Sequence, residues 1–202
     1  MLKFFLIINF LLIQSTKIFC QFHQENKPIN CLIHNQKYSF EYLFASDKIF
    51  SKNQKNYYNV YTNPIGLVND YDRLKWTIAK VDKTNATVTI KSTNNEYLCS
   101  SDSYKDIYRY RRKLYLHRMN SNHKESDIHE ILGKNCQWRL ERLEEQTYII
   151  WNDLFNEPLY APTFFYKHDL INRNVYLWKN KPSSSGQFKW LIDCIKGRFL
   201  LE

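Results

Sequence analysis

The sequence is poor in glycine, with only four in 202 residues, at positions 66, 133, 186 and 197. These are too far apart for a phosphate-cradling loop, and none frames a serine in the Gly-x-Ser-x-Gly elbow of a hydrolase. The six histidines are scattered: His123 and His129 lie six residues apart, which fits neither a zinc-protease helix nor a zinc finger. We therefore expect no cofactor, no metal site and no catalytic residue, and we predict that the protein is not an enzyme.

Long apolar runs are also rare, and the one present stands at the N-terminus, from Phe4 to Ile13. Its ten residues are too few for a membrane-spanning helix, which needs roughly 20. Lys3 precedes the run and polar residues follow it, a pattern typical of a cleaved secretory signal over residues 1–20. The cut is expected after Cys20, with Ser15 as the alternative. We predict a secreted, extracellular protein that is not transmembrane.

Removal of the predicted signal would leave 182 of the 202 residues, and the loss of Lys3 and Lys17 would lower the net charge from +9 to +7. That length suits one domain with its own core. Four cysteines remain, an even number that favours two disulfides in an oxidising compartment, with buried thiols as the alternative. The sequon Asn85-Ala86-Thr87 predicts glycosylation at Asn85.

The rest of the chain favours short strands over helices. Aromatic residues make up 16% of the sequence, and brief apolar runs alternate with Asn, Asp, Lys and Ser. Trp76, Trp138 and Trp190 share one local setting, because an apolar residue follows each tryptophan two positions later, on the same face of a strand. Trp151 and Trp178 fall outside this pattern, so they are either additional core or exposed stacking platforms for a sugar.

Three further landmarks recur in the same order ahead of these tryptophans, and we interpret them as the first, second and third strands of a repeated unit. The first strands contain Ile33, Ile90 and Ile150, and the second strands contain Leu43, Leu98 and Leu159. The third strands are Tyr58–Tyr61, Leu114–His117 and Val175–Trp178. The prediction is an all-β domain over residues 31–202, after an extension at 21–30, with repeats of about 31–81, 86–143 and 147–195.

Three units of four strands, each closed by a tryptophan strand, resemble the β-trefoil fold. The resemblance implies a six-stranded barrel built from the first and fourth strands, with the middle strands forming a hairpin cap. In a trefoil the first strand lies beside the last, which implies a Cys31–Cys194 disulfide and leaves Cys99 to pair with Cys136. Four cysteines allow three pairings, so this assignment is a hypothesis.

Among trefoils, the final unit is similar to the last repeat of the thirty-kilodalton insect haemolymph lipoproteins, through Tyr148–Asn152, Tyr176–Trp178 and Lys189–Ile192. Those proteins carry a helical domain ahead of the trefoil, and residues 21–30 are too few to form one. The chain departs from ricin-type lectins, whose fourth strands carry Gln-x-Trp. The three tryptophans here follow Leu-Lys, Cys-Gln and Phe-Lys.

The strongest local signal is basic. Residues 105–118 hold six basic residues against one acid, Asp106, for a net charge of +5. We expect an exposed hairpin there that binds sulfated polysaccharide, anionic lipid headgroups or an acidic protein, since planar guanidinium groups suit sulfate and phosphate. The alternative is a solvated loop that only aids solubility. The candidate anion-binding residues are Lys105, Arg109, Arg111, Arg112, Lys113 and Arg118.

The same segment matches the preference of furin-like convertases at Arg109–Arg112, which a chance match in a basic loop also explains. The sequence thus predicts a secreted, non-enzymatic binding module for an anionic glycan or another acidic extracellular ligand, and no nucleic-acid partner. Two alternatives remain open: a structural or storage protein without a specific ligand, and a protease inhibitor.

Overall fold

The computed structural model of the chain describes residues 29–52, 55–81, 87–105, 110–119, 128–163, 165–166, 169–180, 182 and 184–194. The predicted signal over 1–20, the predicted glycosylation site at Asn85 and the basic residue Arg109 lie outside these ranges. Within the described ranges, no helix is long and apolar enough to cross a membrane.

The described chain is all-β, with one short helix, α1 (Ile128–Leu132), and 3-10 turns at Ile65–Leu67, Tyr71–Leu74, Lys134–Cys136 and Gly186–Phe188. The strands of the first two units are β1 (Ile29–Asn35), β2 (Glu41–Lys52), β3 (Lys55–Pro64), β4 (Lys75–Lys80), β5 (Thr87–Ser92), β6 (Glu96–Tyr104), β7 (Arg111–Arg118) and β8 (Trp138–Glu144). The third unit contains β9 (Thr147–Asn152), β10 (Leu159–Tyr160), β11 (Phe165–Tyr166), β12 (Asp169–Asn174), β13 (Tyr176–Trp178) and β14 (Trp190–Cys194).

Six strands pair in a closed cycle. β1 pairs with β4, β4 with β5, β5 with β8, β8 with β9, β9 with β14, and β14 again with β1, all antiparallel. These are the first and fourth strands of the three units, and their closure leaves no exposed edge within the cycle. The middle strands form hairpins, β2 with β3 and β6 with β7. The third strands of different units meet where β7 pairs with both β3 and β13 and where β3 pairs with β12.

The three repeat tryptophans build the core in the same way. Trp76, Trp138 and Trp190 are 0% exposed. Each indole N–H donates to the carbonyl of its unit's second-strand leucine: Leu43 at 2.9 Å, Leu98 at 2.9 Å and Leu159 at 3.1 Å. A buried indole needs a partner for its N–H, so each tryptophan ties its fourth strand to its own hairpin. The tryptophan and second-strand leucine landmarks of the sequence therefore correspond to equivalent structural positions.

Two disulfides link the cysteines in the pairing that the trefoil resemblance implied. Cys31 and Cys194 face each other on neighbouring strands β1 and β14, and Cys99 pairs with Cys136 inside the second unit. The first bond joins the two ends of the described chain across 163 residues, and the second spans 37. The predicted pairing is confirmed.

The third strands align differently from the sequence prediction. That prediction matched Val60 with Leu116 and Leu177, but the cross-strand partners make Val60 equivalent to Leu114 and Val175. A shift of two residues returns a strand to the same face, so the alternation of polar and apolar residues cannot detect it. In the corrected alignment, the residue just before each of these core positions is Asn59, Lys113 and Asn174.

Candidate anion-binding cleft

A cleft of about 410 Å³ opens where the third strands of the three units meet. Its base contains the three equivalent apolar residues Val60, Leu114 and Val175, which are 3–6% exposed. Because every unit contributes the same position, the cleft lies on the approximate threefold axis of the repeat. The remaining residues that line it are polar or aromatic: Lys48, Asn59, Tyr61, Lys105, Lys113, Asn174 and Tyr176.

The cleft is strongly cationic. Three lysines line it, and none of the described residues that line it is a carboxylate. Lys105 and Lys113 are exposed, and neither ammonium group has a carboxylate partner among the described residues. Partial burial lowers the pKa of Lys105, and the nearby charges of Lys113 and Arg111 lower it further. These cations repel one another, and an anion placed between them would relieve that repulsion.

Two bulged hairpins bring the lysines to the axis. The ladder between β2 and β3 shifts after Ala45, and the amide of Lys48 donates to the Ser46 hydroxyl at 3.0 Å. The ladder between β6 and β7 shifts after Ser100, and the amide of Lys105 donates to the Arg111 carbonyl at 2.6 Å. Bulges redirect the side chains of a strand, and here one in each hairpin precedes a lysine of the cleft.

Arg112 corrects the sequence prediction. Its side chain is 5% exposed rather than on a surface loop. Its Nε and Nη2 donate to the two carboxylate oxygens of Glu157 at 2.8 and 3.1 Å, and its Nη1 donates to the carbonyls of Ser101 and Asp102. Arg112 is therefore an internal tie between the second and third units, and it cannot serve as a surface ligand for an external anion. Its burial also hides the last residue of the convertase-like motif.

An equivalent pair joins the third unit to the first. The Arg173 guanidinium donates to both oxygens of Glu41 at 2.8 Å, and Arg173 occupies the same repeat position as Arg112. In the first unit Tyr58 occupies that position and carries no charge. Glu96 is therefore paired with the Arg118 guanidinium instead. The Arg118 guanidinium lies 4.3 Å from the centre of the Tyr58 ring.

Sequence reasoning missed these pairs, although one signal was present. A glutamate stands two residues before the second-strand leucine in every unit, at Glu41, Glu96 and Glu157. These side chains are buried, and a buried carboxylate requires a partner. The repeated glutamate therefore predicts one arginine partner for the glutamate of each unit, and the partners are Arg173, Arg118 and Arg112.

The six predicted anion-binding residues therefore separate into groups. Lys105 and Lys113 line the cleft, and the half-buried Arg111 lies beside it, with its guanidinium 5.8 Å from the centre of the Tyr176 ring. Arg112 and Arg118 are paired with internal carboxylates. Lys48 was missed because it lies 57 residues before Lys105. The available signal was the position of Lys48, two residues after Ser46 in the hairpin of the first unit.

Comparison with known proteins identifies the fold and no family. No family model matches the chain, and no curated protein does. Among solved structures, a Caenorhabditis elegans protein of unknown function is 12% identical with a TM-score of 0.60, over 84% of this chain and 96% of that one. The SDF2-like protein from Arabidopsis thaliana is 14% identical with a TM-score of 0.60, over 83% and 94%. The designed threefold-symmetric protein ThreeFoil is 15% identical with a TM-score of 0.55, over 81% and 97%. The chain thus has a β-trefoil-like all-β fold.

Proposed function

We propose that the protein is a secreted, non-enzymatic binding module whose axial cleft takes an anionic group of an extracellular ligand. In this proposal the closed cycle of six strands is the barrel of a β-trefoil and the hairpins are its cap. Two disulfides and the signal-like N-terminus support an extracellular setting. A sulfated polysaccharide is the preferred ligand, because it is a dense extracellular polyanion.

One observation carries the proposal: three lysines from two units line one cleft, and no carboxylate of the described residues lines it. Elsewhere the fold neutralises its buried cations, since Arg112 and Arg173 each have a bidentate glutamate. The exposed ammonium groups of Lys105 and Lys113 have no carboxylate partner among the described residues, which favours an anion from outside the chain. The side-chain amide of Asn174 adds a donor of the kind that hydrogen-bonds sulfate or phosphate oxygens, while the amide of Asn59 donates to the Lys48 carbonyl at 3.0 Å.

The test is binding to heparin, measured by isothermal titration calorimetry over a series of salt concentrations. The key variant is Lys113→Asn, because asparagine already occupies the equivalent position in the other two units. The matched control is Lys134→Ala, which removes one exposed lysine that does not line the cleft. We expect Lys113→Asn to weaken binding and to reduce the slope of log affinity against log salt by about one, as counterion release predicts for one lost contact with a polyanion.

Equal losses in Lys113→Asn and Lys134→Ala would show that heparin senses net charge alone. That result, or no measurable binding, would overturn the proposal and favour a storage or structural protein without a specific ligand. A variant with Lys48→Ala and Lys105→Ala tests the same point from the two bulged hairpins, and it should lose more affinity than Lys113→Asn does.

A further inference from the structure

A row of aromatic rings stands beside the cleft. The Tyr110 ring is stacked on Trp178, with centroids 6.0 Å apart and ring planes at 21°. The Trp178 ring in turn contacts Tyr160 at 4.9 Å, and Tyr160 contacts the buried Phe188 at 4.8 Å. Tyr110 is 43% exposed, so the row runs from the core to the surface. We call Tyr110, Trp178 and Tyr160 the aromatic ledge.

The backbone holds the ledge in place. The amide of Lys179 donates to the Tyr110 carbonyl at 3.0 Å, and the amide of Trp178 donates to the Pro158 carbonyl at 3.0 Å. Tyr110 is therefore fixed to the end of β13 as well as to the start of β7. A ring anchored in this way presents a defined face to a ligand at low entropic cost, because few torsions remain to be ordered.

The ledge and the cleft are continuous along one strand pair. In the ladder between β7 and β13, Lys113 faces Tyr176 at the cleft, and two residues further on Arg111 faces Trp178 at the ledge. Two residues along a strand span about 7 Å, so one extended ligand can reach both the cleft and the ledge. The Arg111 guanidinium lies over Tyr176, between the cleft and the ledge.

We propose that the ligand is a sulfated oligosaccharide that places a sulfate in the axial cleft and stacks a neighbouring sugar ring on Tyr110. This inference rests on the proposed function and adds a stacking site for the sugar of its ligand. The lysines and Arg111 supply charge for the sulfates, while an aromatic face suits the apolar C–H face of a pyranose. A free sulfate ion or an acidic protein would use the cations without needing a flat aromatic surface next to them.

The experiment compares three probes on the full chain: a heparin-derived hexasaccharide, the same hexasaccharide after desulfation, and an inorganic polyphosphate of matched charge. The test variant is Tyr110→Ala, and Tyr110→Phe retains the stacking face. Tyr71→Ala is the matched control, because Tyr71 is 45% exposed and does not line the cleft. Thermal unfolding of each variant checks that it is folded.

We expect Tyr110→Ala to weaken hexasaccharide binding about tenfold, as the loss of one stacked ring on an exposed platform predicts, and to leave polyphosphate binding unchanged. Tyr110→Phe and Tyr71→Ala should match the parent protein, and the desulfated probe should bind weakly to all variants. The intrinsic tryptophan fluorescence, to which Trp178 contributes, should change with the hexasaccharide but not with polyphosphate.

Each contrary result identifies what fails. If Tyr110→Ala binds the hexasaccharide like the parent while Lys113→Asn weakens it, the stacking inference is wrong and the anion cleft stands. If Tyr110→Ala weakens both polyanions equally, Tyr110 acts through structure and the glycan assignment is overturned. If Lys113→Asn and the Lys48/Lys105 variant change nothing, the proposed function itself fails. Tighter binding of a sulfotyrosine peptide than of the hexasaccharide at equal charge would replace the glycan with a protein partner.

Discussion

The Arg173–Glu41 pair should be among the most costly polar interactions to break in this protein. Their side chains are 4% and 11% exposed, and Arg173 donates through Nε and Nη2 to the two oxygens of Glu41. Its Nη1 donates to the carbonyls of Pro162 and Thr163, and Glu41 accepts a further bond from the Thr62 hydroxyl at 2.6 Å. All these groups are satisfied together, so removal of one charge leaves the other buried without a counterion.

The variant that isolates this effect is Glu41→Gln, which keeps the shape of the side chain and removes only its charge. Breaking one partner of a buried ion pair typically costs about 3–5 kcal/mol. A domain of this kind is stable by roughly 5–15 kcal/mol, so the variant should remain folded in buffer and unfold at a much lower urea concentration. The control is Asp72→Asn, which breaks the exposed Lys75–Asp72 pair and should cost less than about 1 kcal/mol.

Equilibrium urea unfolding followed by circular dichroism measures both values under one set of conditions. The double variant Glu41→Met with Arg173→Met should be less destabilised than the sum of its single variants by about 1–3 kcal/mol, because no charge is then left unpaired. A Glu41→Gln cost no larger than that of Asp72→Asn would refute the reasoning. It would mean that the guanidinium finds water or another acceptor when Glu41 loses its charge.

Three other predictions follow from the same contacts. Replacing Cys31 and Cys194 by serine should lower the free energy of unfolding more than replacing Cys99 and Cys136 does, because the loops that these disulfides close are 163 and 37 residues long. The loop-entropy model gives losses of about 5 and about 4 kcal/mol. The reverse order in urea unfolding would contradict the model. Burial raises the pKa of Tyr115 to about 12. The contribution of the protonated hydroxyl to stability is therefore complete below the tyrosine pKa of the unfolded chain, about 10, and is lost as pH rises toward 12. Tyr115→Phe should remove this loss of stability at alkaline pH, as measured by tyrosinate absorbance and by unfolding. Burial and neighbouring cations lower the pKa of Lys105, so heparin affinity should begin to fall at a lower pH than ordinary lysine titration predicts, and Lys105→Arg should abolish that early fall in calorimetric titrations.

The sequence predicted the frame of the fold because the frame is repeated. Trp76, Trp138 and Trp190 have similar sequence contexts. The leucines whose carbonyls accept their indole N–H groups precede them in the same order. The disulfides followed from the closure of first and last strands that the resemblance implied. In each case three copies of one local pattern turned a weak signal into a consistent one, and the alignment failed only where a two-residue shift preserves the strand face.

The charged site was less predictable, because charge alone does not reveal which partner a side chain meets. Arg112 stands among five other basic residues in the sequence, yet its partner Glu157 lies 45 residues away. Counting charges placed Arg112 on the surface with Lys105 and Lys113, whereas the structure buries the first and exposes the other two. Lys48 reaches the same cleft from the bulged hairpin of the first unit, so a count of charges over residues 105–118 does not include it.

The proposed site depends on departures from the repeat rather than on the repeat itself. At one position beside the axis the units carry Asn59, Lys113 and Asn174, so the second unit alone supplies a cation there. The bulged hairpins of the first two units add Lys48 and Lys105, and the charge of the described cleft is therefore displaced from the threefold axis toward the second hairpin. In the proposed complex, an anion held there would lie closer to Arg111 than an anion centred on the threefold axis would. The positive charge of the lining is therefore concentrated on the side of the cleft that adjoins the aromatic ledge.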